Sequence, residues 1–157
     1  MSPIGIFHII FAILSLVSGA GVLLRAKGTR SHKRIGYAYV ACMLAMNASA
    51  LMIYRLFGGF GPFHVLALVS LVTLFLGVVP AVRRRPGWLK KHYGRMSWSY
   101  VGLCAAFAAE IIVRTPAVRG LGVGFGIAVL VASSLVLLVG GTIIVRQRTD
   151  ALAGLSE

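Results

Sequence analysis

Acidic residues are scarce in this chain of 157 residues, which has three Asp and Glu against 16 Lys and Arg and a formal net charge of +13. Only 12% of the residues are charged and 59% are hydrophobic, which excludes a water-soluble globular protein. The basic residues form short clusters between long apolar runs and do not line one polar face, so they do not indicate binding to nucleic acid. The pattern indicates an integral membrane protein.

Cysteine and catalytic motifs are also rare. Cys42 and Cys104 both fall inside apolar segments, where a small packing residue is the simplest interpretation and a disulfide framework is not indicated. The sequence lacks Gly-x-x-x-x-Gly-Lys, Cys-x-x-Cys and Gly-x-Ser-x-Gly, which are motifs of phosphate binding, redox dithiols and nucleophilic hydrolases. The sequence therefore leaves open whether the protein is an enzyme.

Five apolar segments meet or approach the roughly 20 residues that a helix needs to cross a bilayer core about 30 Å thick. Because unpaired backbone amides are costly in hydrocarbon, all five are predicted to be helices of one all-α transmembrane domain. The first segment has no basic residues before it and is expected to be retained as a helix, not cleaved as a secretory signal. The predicted spans are 4–24, 35–54, 63–82, 96–113 and 121–145, followed by a tail at 146–157.

The positions of Lys and Arg predict the orientation of this five-helix bundle. Residues 25–34 carry five basic residues, residues 83–95 carry six and the tail carries two, whereas the opposite loops carry only Arg55, Arg114 and Arg119. Short basic loops remain cytoplasmic, so the N-terminus is predicted outside and the C-terminus inside. The cytoplasmic loops are also expected to bind anionic lipid headgroups.

The first four helices contain an internal repeat. Residues 5–10 (GIFHII) match residues 61–66 (GPFHVL), Gly21-Val22 matches Gly77-Val78, and residues 34–40 match residues 95–101. The repeat predicts that helices 1–2 and 3–4 are two copies of one hairpin, parallel to each other in the membrane. The fifth helix has no counterpart and is predicted to form an added wall.

All four histidines lie in or beside the repeats. His8 and His64 are predicted near the outer ends of helices 1 and 3, and His32 and His92 just before helices 2 and 4, on the inner side. Two imidazoles related by the repeat axis can face each other at equal depth and hold iron or another metal between them. The alternative for each ring is a hydrogen bond to headgroups, water or a carbonyl at the membrane surface.

Haem b with an electron-transfer role is the leading hypothesis, because one histidine from each of two helices is a common way to hold haem iron. An inner haem requires the loop that carries His32 to fold back against the bundle. A redox partner protein follows from this hypothesis. Arginines at both ends are candidates for the propionates, namely Arg34 and Arg95 inside and Arg55 and Arg114 outside.

Glu110, the one acid inside a predicted span, gives an alternative. His8, His64 and Glu110 form a possible zinc or copper site near the outer face, with hydrolytic chemistry. Glu110 can instead pair with Arg114 at i,i+4 spacing, or orient a histidine ring by accepting its second N–H. Asn47 and Ser49 supply further hydrogen-bonding groups.

A third class is a cofactor-free protein that binds lipid or assists assembly, with every histidine at a wetted surface. The glycines at residues 120–126 and at Gly140-Gly141 predict close helix contact or a homodimer formed through helix 5.

Several of these motifs together resemble a known family. Phe7-His8, Phe63-His64, residues 32–37 (HKRIGY) and the stretch from His92 to residues 96–103 (MSWSYVGL) are similar to the bacterial predicted membrane proteins of domain of unknown function 2306. The resemblance covers most of the chain through Arg114. It implies a small multi-pass protein of the bacterial inner membrane and leaves the cofactor and reaction open.

Overall fold

The computed structural model describes residues 2–54, 58–119 and 123–153. It contains five long α-helices and one short helix, and no strand occurs in the described ranges. The all-α prediction is confirmed. The elements are α1 (Pro3–Leu24), α2 (Arg30–Ala50), α3 (Pro62–Arg83), α4 (Trp88–Arg114), the single turn α5 (Pro116–Arg119) and α6 (Val123–Ala153).

Three of the long helices are long and apolar enough to cross a membrane: α1, α3 and residues Ile127–Arg146 of α6. Their side chains are mostly exposed in the isolated chain; Val17 and Leu138, for example, are each 66% exposed. Large apolar side chains exposed along whole helices suit contact with lipid. The helices α2 and α4 begin with basic turns and are less apolar overall, and they supply most of the buried side chains.

The first of two compact units comprises Met1–Val72 and contains α1, α2 and the first half of α3. Helix α1 begins at Pro3, and the hydroxyl of Ser2 accepts a hydrogen bond from the Gly5 amide. Side chains of α2 make up most of the buried residues in this unit, which include Tyr39 and Met43. Small residues on α1 permit close contact, since a Cβ on Gly21 would lie 3.4 Å from Cγ2 of Ile35 on α2.

The second unit comprises Thr73–Glu157 and contains the second half of α3, α4, α5 and α6. Helix α4 packs along α6, and a Cβ added to Gly140 would lie only 2.5 Å from Cγ1 of Val101. A Cβ added to Gly141 would similarly lie 2.9 Å from the indole of Trp98. These two glycines of the predicted dimer motif therefore serve close helix contact within the chain, while residues 120–122 of the other glycine run lie outside the described residues.

The helix ends differ from the predicted spans at the more polar helices. Helix α2 runs from Arg30 to Ala50 and not from residue 35 to residue 54, and α4 starts at Trp88 and not at residue 96. Basic residues are good helix formers, so these helices extend beyond their apolar segments. At the other end, α6 continues to Ala153, past the predicted limit at residue 145.

This difference corrects the predicted position of the inner histidines. The apolar spans place His32 and His92 in loops, but both lie in the first turns of helices. The Thr29 hydroxyl caps α2 by accepting a hydrogen bond from the His32 amide at 3.1 Å, so His32 is the third residue of the helix. No folding back of a loop is needed to bring either residue onto the helical hairpins.

Candidate functional site

His8 links α1 to the last turns of α2. Its Nδ1 lies 3.1 Å from the Met46 carbonyl oxygen and 3.2 Å from Oγ of Ser49. The Ser49 hydroxyl itself donates to the Met46 carbonyl at 2.8 Å, so all three groups form one small network. The prediction that Ser49 supplies a hydrogen-bonding group is confirmed.

The contact with the Met46 carbonyl favours one tautomer of the His8 ring. A carbonyl oxygen can only accept, so Nδ1 carries the proton and donates it to Met46. In a neutral ring, Nε2 then keeps its lone pair. A histidine that binds a metal through Nε2 nearly always donates its other N–H in this way, to a carboxylate, a backbone carbonyl or water. The Nδ1 contact of His8 is thus one that metal-ligating histidines also make.

His64 lies at the start of α3 and is only 3% exposed. Its ring stacks on Tyr54 and on Phe60, with ring centroids at 4.7 Å and 5.0 Å. The Gly61 amide donates to Nδ1 at 3.1 Å, which leaves the proton of the neutral ring on Nε2. This Nε2 is buried, and none of the described residues supplies a hydrogen-bond partner for it.

An unpartnered nitrogen at this position is unfavourable. A buried polar group left without a hydrogen bond costs about 1–3 kcal/mol, and such groups in native structures usually have a functional explanation. Tyr54 and Phe60 both stack on the imidazole ring. The Nε2 of His64 is therefore a buried polar atom with no partner among the described residues.

His8 and His64 lie at the same end of the first unit. The last turns of α2 contact α1 through Met46 and Ser49, as described above. They contact α3 through Asn47, whose Nδ2 donates to the Ser70 hydroxyl at 3.2 Å and to the Met43 carbonyl at 2.8 Å. The C-terminal turns of α2 thus bond to His8 near the start of α1 and to Ser70 in the third turn of α3, and Tyr54, just after α2, stacks on His64. The facing of the two imidazoles that the repeat predicts stays a prediction.

A second buried polar atom without a partner lies on α1. The Oγ of Ser15 is fully buried, and the described part of the chain offers it no hydrogen bond. Ser15 follows His8 at i+7, so both lie on one face of α1, about 10 Å apart along the axis. Gly19 continues the same face and is also buried. The face of α1 turned toward α2 is therefore narrow and carries polar groups.

Of the inner histidines, His92 contacts a backbone carbonyl through Nδ1, as His8 does. The Nδ1 of His92 lies 2.8 Å from the Gly77 carbonyl oxygen of α3, so this nitrogen also carries the proton. Trp88 packs beside the His92 ring at a centroid distance of 6.2 Å. His32 is half-buried at the start of α2. His8 and His92 thus share the tautomer that leaves the lone pair on Nε2.

Glu110 is bonded to Arg114, one turn farther along α4. The Nε of Arg114 donates to Oε1 of Glu110 at 2.8 Å, and Nη2 donates to the same oxygen. This is the i,i+4 pairing that the spacing predicted. Within residues 2–54, 58–119 and 123–153, no group of three His, Cys, Asp or Glu side chains is arranged to hold a metal ion. The set of His8, His64 and Glu110 stays a prediction, because its members lie in two different units.

The candidate propionate partners have different positions. Arg34 is exposed on α2, and Arg95 donates through Nη1 to the Leu76 carbonyl at 2.9 Å. Arg114 is committed to Glu110, and Arg55 lies outside the described residues. The structure therefore leaves Arg34 as the most open of the described three.

Sequence reasoning did not identify Tyr54, Phe60 or Ser15 as part of the site. Tyr54 and Phe60 lie outside the helices, between α2 and α3, where no periodicity predicts which way a side chain points. The motif Gly-Pro-Phe-His is recognisable as a repeat, but its environment depends on the turn at Gly58, where φ is +67°. The available signal was the presence of aromatic residues close to His64 in a short glycine-rich stretch.

Comparison with known proteins identifies the family. No curated protein and no solved structure matches the chain. The family model described as predicted membrane protein DUF2306 matches residues 5–146, which include most of all five long helices and all four histidines. The chain belongs to the DUF2306 family of predicted membrane proteins.

Proposed function

We propose that this membrane protein binds haem b through His8 and His64 and transfers electrons. The observation that carries the proposal is the buried Nε2 of His64, which has no partner among the described residues, at the same end of the unit as His8. His8 already presents a lone pair on Nε2, because its Nδ1 donates to Met46. His8 and His64 would be the two residues that hold the iron of a bound haem.

Ligation by His64 requires one proton to change position. The ring must hold its proton on Nδ1 for Nε2 to offer a lone pair, so the hydrogen bond from the Gly61 amide has to break. That bond spans three residues at the start of α3, next to Gly58 and Gly59. The proton then moves from Nε2 to Nδ1 without a change in ring charge, and the buried nitrogen gains a partner.

The surroundings favour electron transfer over binding of a substrate. Haem iron held by His8 and His64 would supply the exchange of one electron and would leave no position for an external ligand. The aromatic rings of Tyr54 and Phe60 fix His64 and limit the reorganisation that accompanies a change of iron charge. The buried hydroxyl of Ser15, on the same face of α1 as His8, is available to a polar edge of the bound group.

The same proposal includes a multi-pass topology in the bacterial inner membrane, with basic residues 25–34 and 83–95 in the cytoplasm. The hairpin repeat is supported by a pair of equivalent contacts. In the first hairpin Gly21 faces Ile35, and in the second Gly77 faces Met96, at positions that the repeat aligns. Both contacts bring the end of one helix against the start of the next.

The experiment is reconstitution of the detergent-purified chain with haem b, followed by absorption spectroscopy. We expect a Soret band with the wild type that is lost in His8→Ala and in His64→Ala. Ser18→Ala is the matched control, because the hydroxyl of this half-buried serine of α1 donates to carbonyls of its own helix, those of Leu14 and Ser15. Its haem content should equal that of the wild type.

Two results would overturn the proposal. One is a wild-type chain that stays colourless with haem b in excess while its helical circular dichroism is intact. The other is a Soret band that survives both histidine substitutions, which would place the haem elsewhere. In His64→Ala, any haem that stays bound through His8 should be high-spin, as expected after loss of one of two imidazole ligands.

A further inference from the structure

The second unit has a groove where α3 ends and α4 begins. The groove has a volume of about 280 Å³ and combines one basic side with one apolar side. We propose that it binds one anionic phospholipid, with the phosphate on the basic side and the acyl chains along α3. The groove belongs to the second unit and does not depend on the proposed haem site.

Four cations line the groove: Arg83, Arg85, Lys91 and Arg95. Arg95 is held at the α3 side, because its Nη1 donates to the Leu76 carbonyl at 2.9 Å, and a guanidinium has further N–H groups for another acceptor. The three acids of the chain are Glu110, Asp150 and Glu157, all remote in sequence, and Glu110 is paired with Arg114. The cations of the groove therefore favour an anion from outside the chain.

The other side of the groove is apolar and continues onto the exposed surface of α3. Phe75 and Val79 line the groove and are 55% and 40% exposed. Val82 follows them on the same helix face and is 73% exposed. Trp88 lies on the α4 side, and indole rings are favoured at the level of lipid headgroups. Helix α3 is thus apolar over a membrane-spanning length and ends in arginines. A bilayer has the same order, with apolar acyl chains followed by charged headgroups.

The volume of the groove limits which part of the lipid it can hold. Pockets that enclose drug-sized ligands measure about 300–1,000 Å³, so a groove of 280 Å³ holds a phosphate and its glycerol but not the acyl chains. The chains must therefore lie outside, against Phe75 and Val79. A soluble phosphate would gain the charge contacts alone, whereas a phospholipid gains both, which is why we assign the groove to lipid.

The test uses the fluorescence of Trp88. The chain has two tryptophans, so Trp98→Phe leaves Trp88 as the single reporter in the groove. Phosphatidylglycerol with brominated acyl chains quenches an indole that it contacts, and brominated phosphatidylcholine serves as the zwitterionic comparison. We expect phosphatidylglycerol to quench Trp88 at roughly tenfold lower concentration than phosphatidylcholine, since each cation near anionic lipid adds to binding.

A pair of double variants separates the groove from general surface charge. Arg85→Gln with Lys91→Gln removes two cations that line the groove, and Arg84→Gln with Lys90→Gln removes two immediate neighbours that do not. Both pairs lower the net charge equally. The groove pair should lose most of the preference for phosphatidylglycerol, roughly tenfold, while the neighbouring pair keeps it.

Three results would overturn the proposal. Equal loss in both pairs would show that only diffuse surface charge attracts the lipid, and equal quenching by the two lipids would show no preference for an anion. Competition by glycerol 3-phosphate as strong as that by phosphatidylglycerol would show that the apolar side adds nothing. The lipid comparison in the Trp98→Phe chain alone tests the anion preference even if the groove pair fails to fold.

Discussion

The Nδ1 of His8 lies 3.1 Å from the carbonyl oxygen of Met46, and this one bond joins α1 to α2 and sets the protonation of the ring. His64 has the opposite arrangement, with Nδ1 accepting from the Gly61 amide. The repeat treats the two histidines as equivalent, but the Nδ1 of His8 faces a backbone acceptor and the Nδ1 of His64 faces a backbone donor. Their difference is directly measurable.

Nuclear magnetic resonance of ¹⁵N-histidine should report two different tautomers in the cofactor-free chain. We expect the proton on Nδ1 of His8 and on Nε2 of His64, because one ring faces a carbonyl and the other an amide. His8→Gln and His64→Gln assign the signals. Finding both rings with the proton on Nε2 would contradict the described hydrogen bond between His8 and Met46.

Removing the side chain of Asn47 should loosen the contact between α2 and α3. Asn47→Ala loses the bond to Ser70 and is expected to lower the free energy of unfolding by about 0.6–2 kcal/mol, the range for hydrogen bonds between membrane helices. Thermal or denaturant unfolding in detergent measures the change. Ser18→Ala, which removes bonds within α1 only, should stay within about 0.5 kcal/mol of the wild type. Equal losses would argue against a bond between the helices.

A methyl group should have opposite effects at two glycines. A Cβ at Gly140 would lie 2.5 Å and 2.6 Å from the two methyl carbons of Val101, so Gly140→Ala is expected to cost about 1–3 kcal/mol. At Gly102 of α4 nothing lies within 4 Å of the added carbon, and Gly102→Ala should be neutral or stabilise the helix by about 0.5–1 kcal/mol. Unfolding of both variants in the same detergent decides the matter. A stable Gly140→Ala would refute the close packing of α4 on α6.

Lys27 should make stability depend on alkaline pH. Its Nζ donates to the carbonyls of Val22 and Leu23 at the end of α1, and partial burial lowers the pKa of Lys27 from its ordinary value of 10.5. Between the lowered pKa and 10.5 the unfolded chain binds more protons than the folded chain, so the contribution of Lys27 to stability rises with pH there.

The measurement is the midpoint of thermal unfolding between about pH 8 and about pH 10.5, with the upper limit set by the ordinary pKa of lysine. The wild type should gain stability over this range relative to Lys27→Met, and Lys33→Met controls for the loss of one charge at an exposed position. A wild type that loses stability relative to Lys27→Met as the pH rises would show that the sign is wrong.

The ends of the helices were predictable where the apolar run is bounded by a proline or a charged residue. The first predicted span agrees with α1 and the third with α3 to within one residue at each end. The starts of α2 and α4 were missed because hydropathy locates the bilayer and not the helix. Thr29 caps α2 ahead of its basic turn, and Gly87 precedes α4 with φ of +74°. Neither signal depends on apolar residues.

The site was predictable only where it follows helical periodicity. The pairing of Glu110 with Arg114 follows from their spacing on one helix face. The aromatic contacts of His64 do not, because Tyr54 and Phe60 lie outside the helices, where no regular period fixes the direction of a side chain. The difference between the His8 and His64 tautomers depends on which backbone groups each ring meets, and a repeated Phe-His motif carries no information about that.

If both His8 and His64 bind haem iron, electron paramagnetic resonance of the ferric, haem-loaded chain should show both ligands. Two axial imidazoles produce a low-spin signal, which should be lost in His64→Ala and in His8→Ala, with any haem that remains bound giving a high-spin signal. A high-spin signal from the wild type, unchanged in His64→Ala, would show that His64 is not a ligand and would contradict the account.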